Sequence, residues 1–315
     1  MSKNGKIKSC EGEIIVMQEI ILKQKNELEV KNYVDKFLNY IDVSNKTVET
    51  YKIALRQFCS YLLEKGIKNP TREEIIEYRD YLKEYLKPTS VNAYLIAIRN
   101  LYNYLEYEGI TKNITKNIKG IKLEQRHLKR GLSQEEIQKV LSVCKDERER
   151  LIIKLMITTA LRCNEVVNIQ LEDFFEDKGV AMLRVLGKGR DNIKQDIVKI
   201  DDRLLEDIKI YIQNYNITDY LFVSTSNNNK GGKITTKTIR LIVTDLFKKA
   251  GLDMDMLSAH STRHTSCELA LENGLDLREV SEFMRHKSLN TTLVYSKELD
   301  KRNSMVANTL ANVVF

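Results

Sequence analysis

At 315 residues the chain exceeds what one hydrophobic core usually serves, and a 42% hydrophobic composition suffices to build two. No run of about 18 apolar residues occurs and no charged segment leads into an apolar one, so the expectation is a soluble, unexported protein of the cytoplasm. Cys10, Cys59, Cys144, Cys163 and Cys267 are odd in number and scattered, which argues against a disulfide frame or a zinc ribbon, and a net charge of +7 is compatible with a polyanionic partner without predicting one.

Residues 1 to 27 form a basic extension with a short helix expected at IIVMQEIILKQ. From 28 to 110 the pattern reads as four helices. Val48, Tyr51, Leu55, Phe58, Leu62 and Leu63 make one stripe that stops at Gly66. Thr71 and Glu74 form a capping box, and Val91, Tyr94, Leu95, Ile98, Leu101, Tyr102 and Leu105 make another stripe ending before Gly109. Residues 111 to 131 are rich in Lys and Arg with a single Glu, which suggests a basic linker, since a one-sided charge run repels itself unless solvated or met by an anion.

The second domain, 132 to 315, opens on a capping box from Ser133 to Glu136. The helical stripe Leu151, Ile152, Leu155 and Met156 leads into TTALRCNEVVNIQLEDF, with Arg162 and Glu165. Two β-prone runs, VAMLRVL and DIVKI, flank the turn residues GKGRDN and predict a hairpin with Lys188 at its tip. The densest stretch is HSTRHTSCELALENGLDLREVSEFMRHKSLNTTLVY, residues 260 to 295, read as helix, turn, helix. Gly274 is its helix stop and Asp276 caps a run with Val280, Phe283 and Met284 on one face. His260, Arg263, His264 and Cys267 fall on one face of the first helix, and imidazoles with a guanidinium suit an anion better than an apolar core.

HSTRH, a histidine 23 positions after Arg263 and a tyrosine nine further on, together with the earlier Arg162 and Lys188, resemble the active site of the tyrosine recombinases, the phage integrase family. The motif-bearing resemblance covers about residues 132 to 296, and the preceding segment matches in layout only. It implies a mainly α fold: an N-terminal helical core-binding, SAM-like domain that clamps DNA, and an α-rich catalytic domain with a small antiparallel β-sheet. It further implies that Lys46, Lys52, Arg56, Lys87 and Arg99 contact phosphates.

The resemblance assigns roles that fit the residue types. Tyr295 attacks a DNA phosphodiester, and the phosphotyrosine stores the bond energy, so rejoining needs neither ATP nor any cofactor. Arg162 and Arg263 meet the charge on the non-bridging oxygens with forked donors. Lys188 protonates the leaving 5′ oxygen, with Arg190 and Lys194 as neighbouring alternatives. His260 acts as general base toward the tyrosine, and His286 donates to the phosphate. The implied partners are double-stranded DNA with an inverted-repeat core site, three further copies of the chain in a tetramer on that DNA, and an accessory DNA-bending protein. Metal binding by His260, His264 and Cys267 is disfavoured by Arg263 beside them. A relative that binds DNA as an architectural or regulatory protein without cutting remains the alternative reading, with the complete residue set against it.

Three positions depart from the family pattern. Ala160 and Arg285 stand where glycine is common, and Thr262 replaces leucine. If position 285 is left-handed, a non-glycine residue costs on the order of 1 kcal/mol there, and a phosphate contact by Arg285 would offer compensation. Beyond Tyr295, Val306, Leu310, Val313 and Val314 recur as an apolar stripe. The resemblance implies that this tail docks into a neighbouring subunit around a closed ring.

Overall fold

The computed structural model describes residues 33–67, 69–122, 130–187, 195–303 and 311–312. The helix expected before residue 28, the hairpin tip with Lys188, Arg190 and Lys194, and the tail stripe of Val306, Leu310, Val313 and Val314 lie outside the described residues. The chain divides into two compact units, one ending at Gln125 and the other beginning at Arg126.

The first unit contains α1 (Tyr33–Tyr40), α2 (Asn45–Glu64), α3 (Arg72–Tyr85) and α4 (Pro88–Tyr107). Local chemistry sets their ends. The Ser44 side chain accepts from the Thr47 amide, the Thr71–Glu74 capping box is formed, and Pro88 opens α4 where its missing N–H costs nothing. Gly66 and Gly109 leave α2 and α4 in left-handed geometry, at φ 67° and 68°. The stripes meet in a core of Leu55, Phe58, Leu62, Tyr78, Leu82, Leu95 and Leu101, where the Tyr78 ring lies 5.0 Å from Phe58 and 4.9 Å from Tyr61. Leu63, expected on the buried stripe, is 39% exposed.

The basic stretch after Gly109 differs from a free linker over residues 110–122. Ile118 is buried and Ile110, Ile114 and Ile121 pack on the same core. Asn92 exchanges hydrogen bonds with the Ile121 carbonyl and amide at 2.9 and 2.7 Å, and Arg79 donates to the Lys119 carbonyl at 3.2 Å. Isoleucines spaced between the lysines are what fold it back: the apolar residues bury while the lysine heads stay in water.

The second unit holds α5 (Gln134–Ser142), α6 (Glu147–Thr158), α7 (Cys163–Val166), a three-stranded sheet, α8 (Asp202–Tyr215), α9 (Thr236–Lys249), α10 (Ser261–Glu272), α11 (Leu277–Phe283) and α12 (Leu289–Asn303). The sheet is an antiparallel meander of β1 (Phe174–Asp177), β2 (Val180–Val185) and β3 (Asp196–Lys199), with Leu183 opposite both Phe174 and Val198. One core joins Ile152, Leu155 and Met156 of α6 to Leu183 and Val198 of the sheet and to Leu246 and Phe247 of α9.

Helix α10 packs against α6 and α12, and every residue from Ser261 to Glu268 is buried. Its hydroxyls make this tolerable. Thr265 Oγ1 bonds the Ser261 carbonyl at 2.8 Å and Ser266 Oγ the Ile157 carbonyl at 2.6 Å, so the polar atoms are satisfied inside the protein. Gly131 lies so close to this helix that a Cβ would sit 2.8 Å from the Thr265 backbone. Its amide donates to Glu268 Oε1 at 3.0 Å, and the Leu132 amide to Thr265 Oγ1 at 2.8 Å, which holds the segment before α5 against α10.

Candidate active site

The α6–α7 turn brings in the first arginine. Ala160 sits at φ 51° and is fully buried, and Arg162 follows as N-cap of α7. Glu165, 2% exposed, accepts from Arg162 Nη1 at 2.6 Å through Oε1 and from the Arg162 amide at 2.9 Å through Oε2. Glu165 thus reaches back to the N-cap amide as the third-position carboxylate of a capping box does, and takes the Arg162 guanidinium as well, a local reason for their spacing.

Helix α10 supplies Arg263 and His264, both buried contrary to the expectation that such a face avoids the interior. Partners explain the difference. Arg263 donates from Nη1 to the Ala160 carbonyl and from Nη2 to the Met284 carbonyl, and His264 Nδ1 is hydrogen-bonded to the Tyr295 hydroxyl. The Tyr295 ring, 8% exposed, rests in a small apolar cluster of Ala160, Cys267, Val280 and Met284. His260, at the start of α10, is exposed and meets His264 edge to face at 4.9 Å between ring centres.

The α11–α12 turn carries Arg285 and His286. Asp276 caps α11 as expected, with its side chain on the Arg278 amide at 2.8 Å, and Val280 and Met284 are buried, whereas Phe283 is 36% exposed. His286 Nδ1 is 2.8 Å from Thr292 Oγ1. Arg285 is left-handed at φ 51°, but its guanidinium faces inward. Nη2 pairs with Glu165 Oε2 at 3.0 Å and donates to the Ala160 carbonyl at 3.0 Å, and Nη1 donates to the Thr159 carbonyl at 3.2 Å. With its side chain 8% exposed, it is placed as an internal clasp and not as a surface phosphate contact.

Electrostatics follow from this crowding. Crowding of the inner side of the His260 ring, which strips water there although the residue as a whole stays exposed, then Arg263 and Arg162, lowers its pKa. Burial, then His260 and Arg263, pushes His264 down to about 4, and burial, then Arg263 and Arg162, does the same to His286. All three imidazoles are held toward the neutral form beside three guanidiniums, of which Arg162 and Arg285 pair with the Glu165 carboxylate and Arg263 donates to two carbonyls. The surplus positive charge sits where an anion can balance it.

Of the residues singled out in the sequence, Arg162, His260, Arg263, His286 and Tyr295 gather in this cluster, and Lys188 lies outside the described residues. Lys46 is exposed, Lys52 and Arg56 are half-buried on α2, Lys87 is exposed as N-cap of α4, and Arg99 braces the Ile118 carbonyl at 2.5 Å. The group on the tyrosine hydroxyl is His264, where the sequence reading placed His260. Helical spacing puts both histidines on one face and contains no signal that ranks them.

The sequence profile of the phage integrase family matches residues 130–302, and that of the phage integrase N-terminal SAM-like domain matches residues 30–109. Tyrosine recombinase XerA of Pyrococcus furiosus is 30% identical over 286 residues, 89% of this chain and 95% of the relative; XerA of Pyrococcus horikoshii is 28% identical over 281 residues, 89% and 94%. Among solved structures, XerH site-specific recombinase bound to palindromic difH substrate in a post-cleavage complex has a TM-score of 0.70 at 22% identity, covering 94% of this chain and 96% of that one. A lambda integrase tetramer bound to a Holliday junction has a TM-score of 0.64 at 15% identity, covering 84% and 76%. The chain, with its helical N-terminal unit and its arginine, histidine and tyrosine cluster, belongs to the phage integrase family, the tyrosine recombinases that carry out site-specific DNA strand exchange.

Proposed function

We propose that the chain cleaves and rejoins DNA through a 3′-phosphotyrosine at Tyr295, on a short inverted-repeat core site and as a tetramer that passes through a four-way junction. The observation that carries this reading is the tyrosine itself: its hydroxyl bonds His264, the residue next to Arg263, within a cluster of surplus guanidinium charge. A neutral imidazole can accept the phenolic proton at Nδ1 while Oη forms the bond to phosphorus and the 5′ oxygen departs. Arg162 and Arg263 balance the charge on the non-bridging oxygens, His286 donates to one of them, and Lys188 protonates the leaving oxygen. His260, exposed at the helix start, is the imidazole placed to meet DNA first. Since Tyr295 is sheltered and Arg263 is held by two carbonyls, engaging a phosphate requires these bonds to be exchanged for bonds to DNA.

The chemistry serves integration or excision of a mobile element, or resolution of replicon dimers, in the cytoplasm. Among the described residues no helix is long and apolar enough to cross a membrane. The test is covalent capture. The chain is incubated with nicked duplexes randomised in both half-sites, with and without excess EDTA, and DNA that survives a denaturing wash is sequenced. Wild type should retain a discrete inverted-repeat site, equally in EDTA, whereas Tyr295→Phe should bind that site and retain none covalently. A Phe variant that still forms the adduct, or a wild type that binds a site without ever linking to it, would overturn the reading, the latter in favour of an architectural protein.

A further inference from the structure

Arg285 combines three features that ordinarily oppose one another. Its backbone is left-handed at φ 51°, a conformation in which a β-carbon crowds the neighbouring carbonyl. Its guanidinium is withdrawn from water, and its Nε has no hydrogen-bond partner among the described residues. Three of its remaining contacts nonetheless reach one place, the Thr159 and Ala160 carbonyls and Glu165 Oε2 around the α6–α7 turn, while Nη1 also donates to the Phe283 carbonyl of its own turn at 3.1 Å. Glycine, common at this position among the proteins the chain resembles, would remove both the strain and the buried charge.

Glu165 is the point of convergence. One oxygen holds Arg162 Nη1 and the other holds Arg285 Nη2, so a single buried carboxylate connects the arginine of one turn to the turn that carries His286. Arg263 runs parallel to this tie, from the Ala160 carbonyl to the Met284 carbonyl. The two left-handed turns, at Ala160 and at Arg285, are thus clasped to each other twice.

We propose that Arg285 is a positioning residue for strand cleavage: through Glu165 it sets Arg162 and His286 at a fixed separation, ready for one phosphate. It does not itself touch DNA. The inference rests on the recombinase reading above, which the Tyr295 adduct tests separately.

A covalently captured duplex, nicked beside the cleavage point, gives a single-turnover rate at saturating DNA. At a temperature where circular dichroism shows every variant folded, Arg285→Gly should bind the duplex within twofold of wild type but form the adduct at least tenfold more slowly. Its unfolding temperature should be equal or higher. Arg285→Lys keeps the charge without the fork and should recover part of the rate. In a Glu165→Gln background, Arg285→Gly should cost nothing further, because both act through the same carboxylate. A rate less than tenfold slower, or an undiminished effect in the Glu165→Gln background, overturns the proposal. Without any DNA, NMR titration of the His286 ring should move to higher pH in Arg285→Gly as a neighbouring positive charge is lost; an unmoved titration overturns it as well, whatever the chain does to DNA.

Discussion

Acid should weaken the second unit through its crowded imidazoles, and the share of His264 can be read by itself. His264 is 8% exposed, bonded to the Tyr295 hydroxyl and faced by His260, Arg263 and His286, and its pKa falls from the ordinary 6.5 to about 4. Between these values the unfolded chain binds a proton there that the folded chain refuses, so stability rises with pH. The contribution is fully present above pH 6.5 and is lost as pH falls toward 4. One pKa unit is about 1.4 kcal/mol, so the full effect is about 3 kcal/mol, of which about 2 kcal/mol has gone by pH 5. For a unit of this size that corresponds to an unfolding temperature lower by about 4–8 °C at pH 5 than at pH 8 from His264 alone. Scanning calorimetry at both pH values on wild type and on His264→Gln reads it as a difference of differences, since His260 and His286 titrate in both proteins. The variant should lose about 4–8 °C less than wild type on acidification. If both lose the same amount, the imidazole is not held neutral by the packing described, and its place on the tyrosine is wrong.

Tyr78→Phe should raise stability by about 1 kcal/mol, since the buried Tyr78 hydroxyl has no hydrogen-bond partner among the described residues; urea unfolding that shows a loss would mean the hydroxyl is satisfied. Replacing the bridging 5′ oxygen of the substrate by sulfur, which needs little proton donation, should rescue Lys188→Ala but leave Arg263→Ala slow. Rescue of Lys194→Ala in its place would move the acid along the hairpin. Deleting residues 303–315 should leave a folded monomer that binds a half-site but neither pairs full sites cooperatively nor recombines; unchanged cooperativity in gel-shift titration would assign the tail to its own subunit.

Much of the fold was legible in the sequence because the interactions that set it are local. The Ser133–Glu136 and Thr71–Glu74 capping boxes, the left-handed stops at Gly66, Gly109 and Gly274 and the cap at Asp276 are decided within four or five residues, and each lies where the pattern placed it. The stripe from Tyr51 to Leu62 fixed a buried face by the helical period alone. The order and types of Arg162, His260, Arg263, His286 and Tyr295 carried the family in the same way.

What tertiary structure decided are the contacts whose partners lie far apart in the chain. His264 and not His260 bonds Tyr295, 31 residues on, and Arg285 turns inward because Glu165, 120 residues earlier, meets it there. Residues 110–122 fold back onto α3 and α4, although their charge reads as a linker. The buried polar face of α10 was misjudged for the same reason: residue type states the cost of burying a guanidinium or an imidazole, but the partners that offset the cost, here two carbonyls and a phenol, are supplied only by the packing of distant segments.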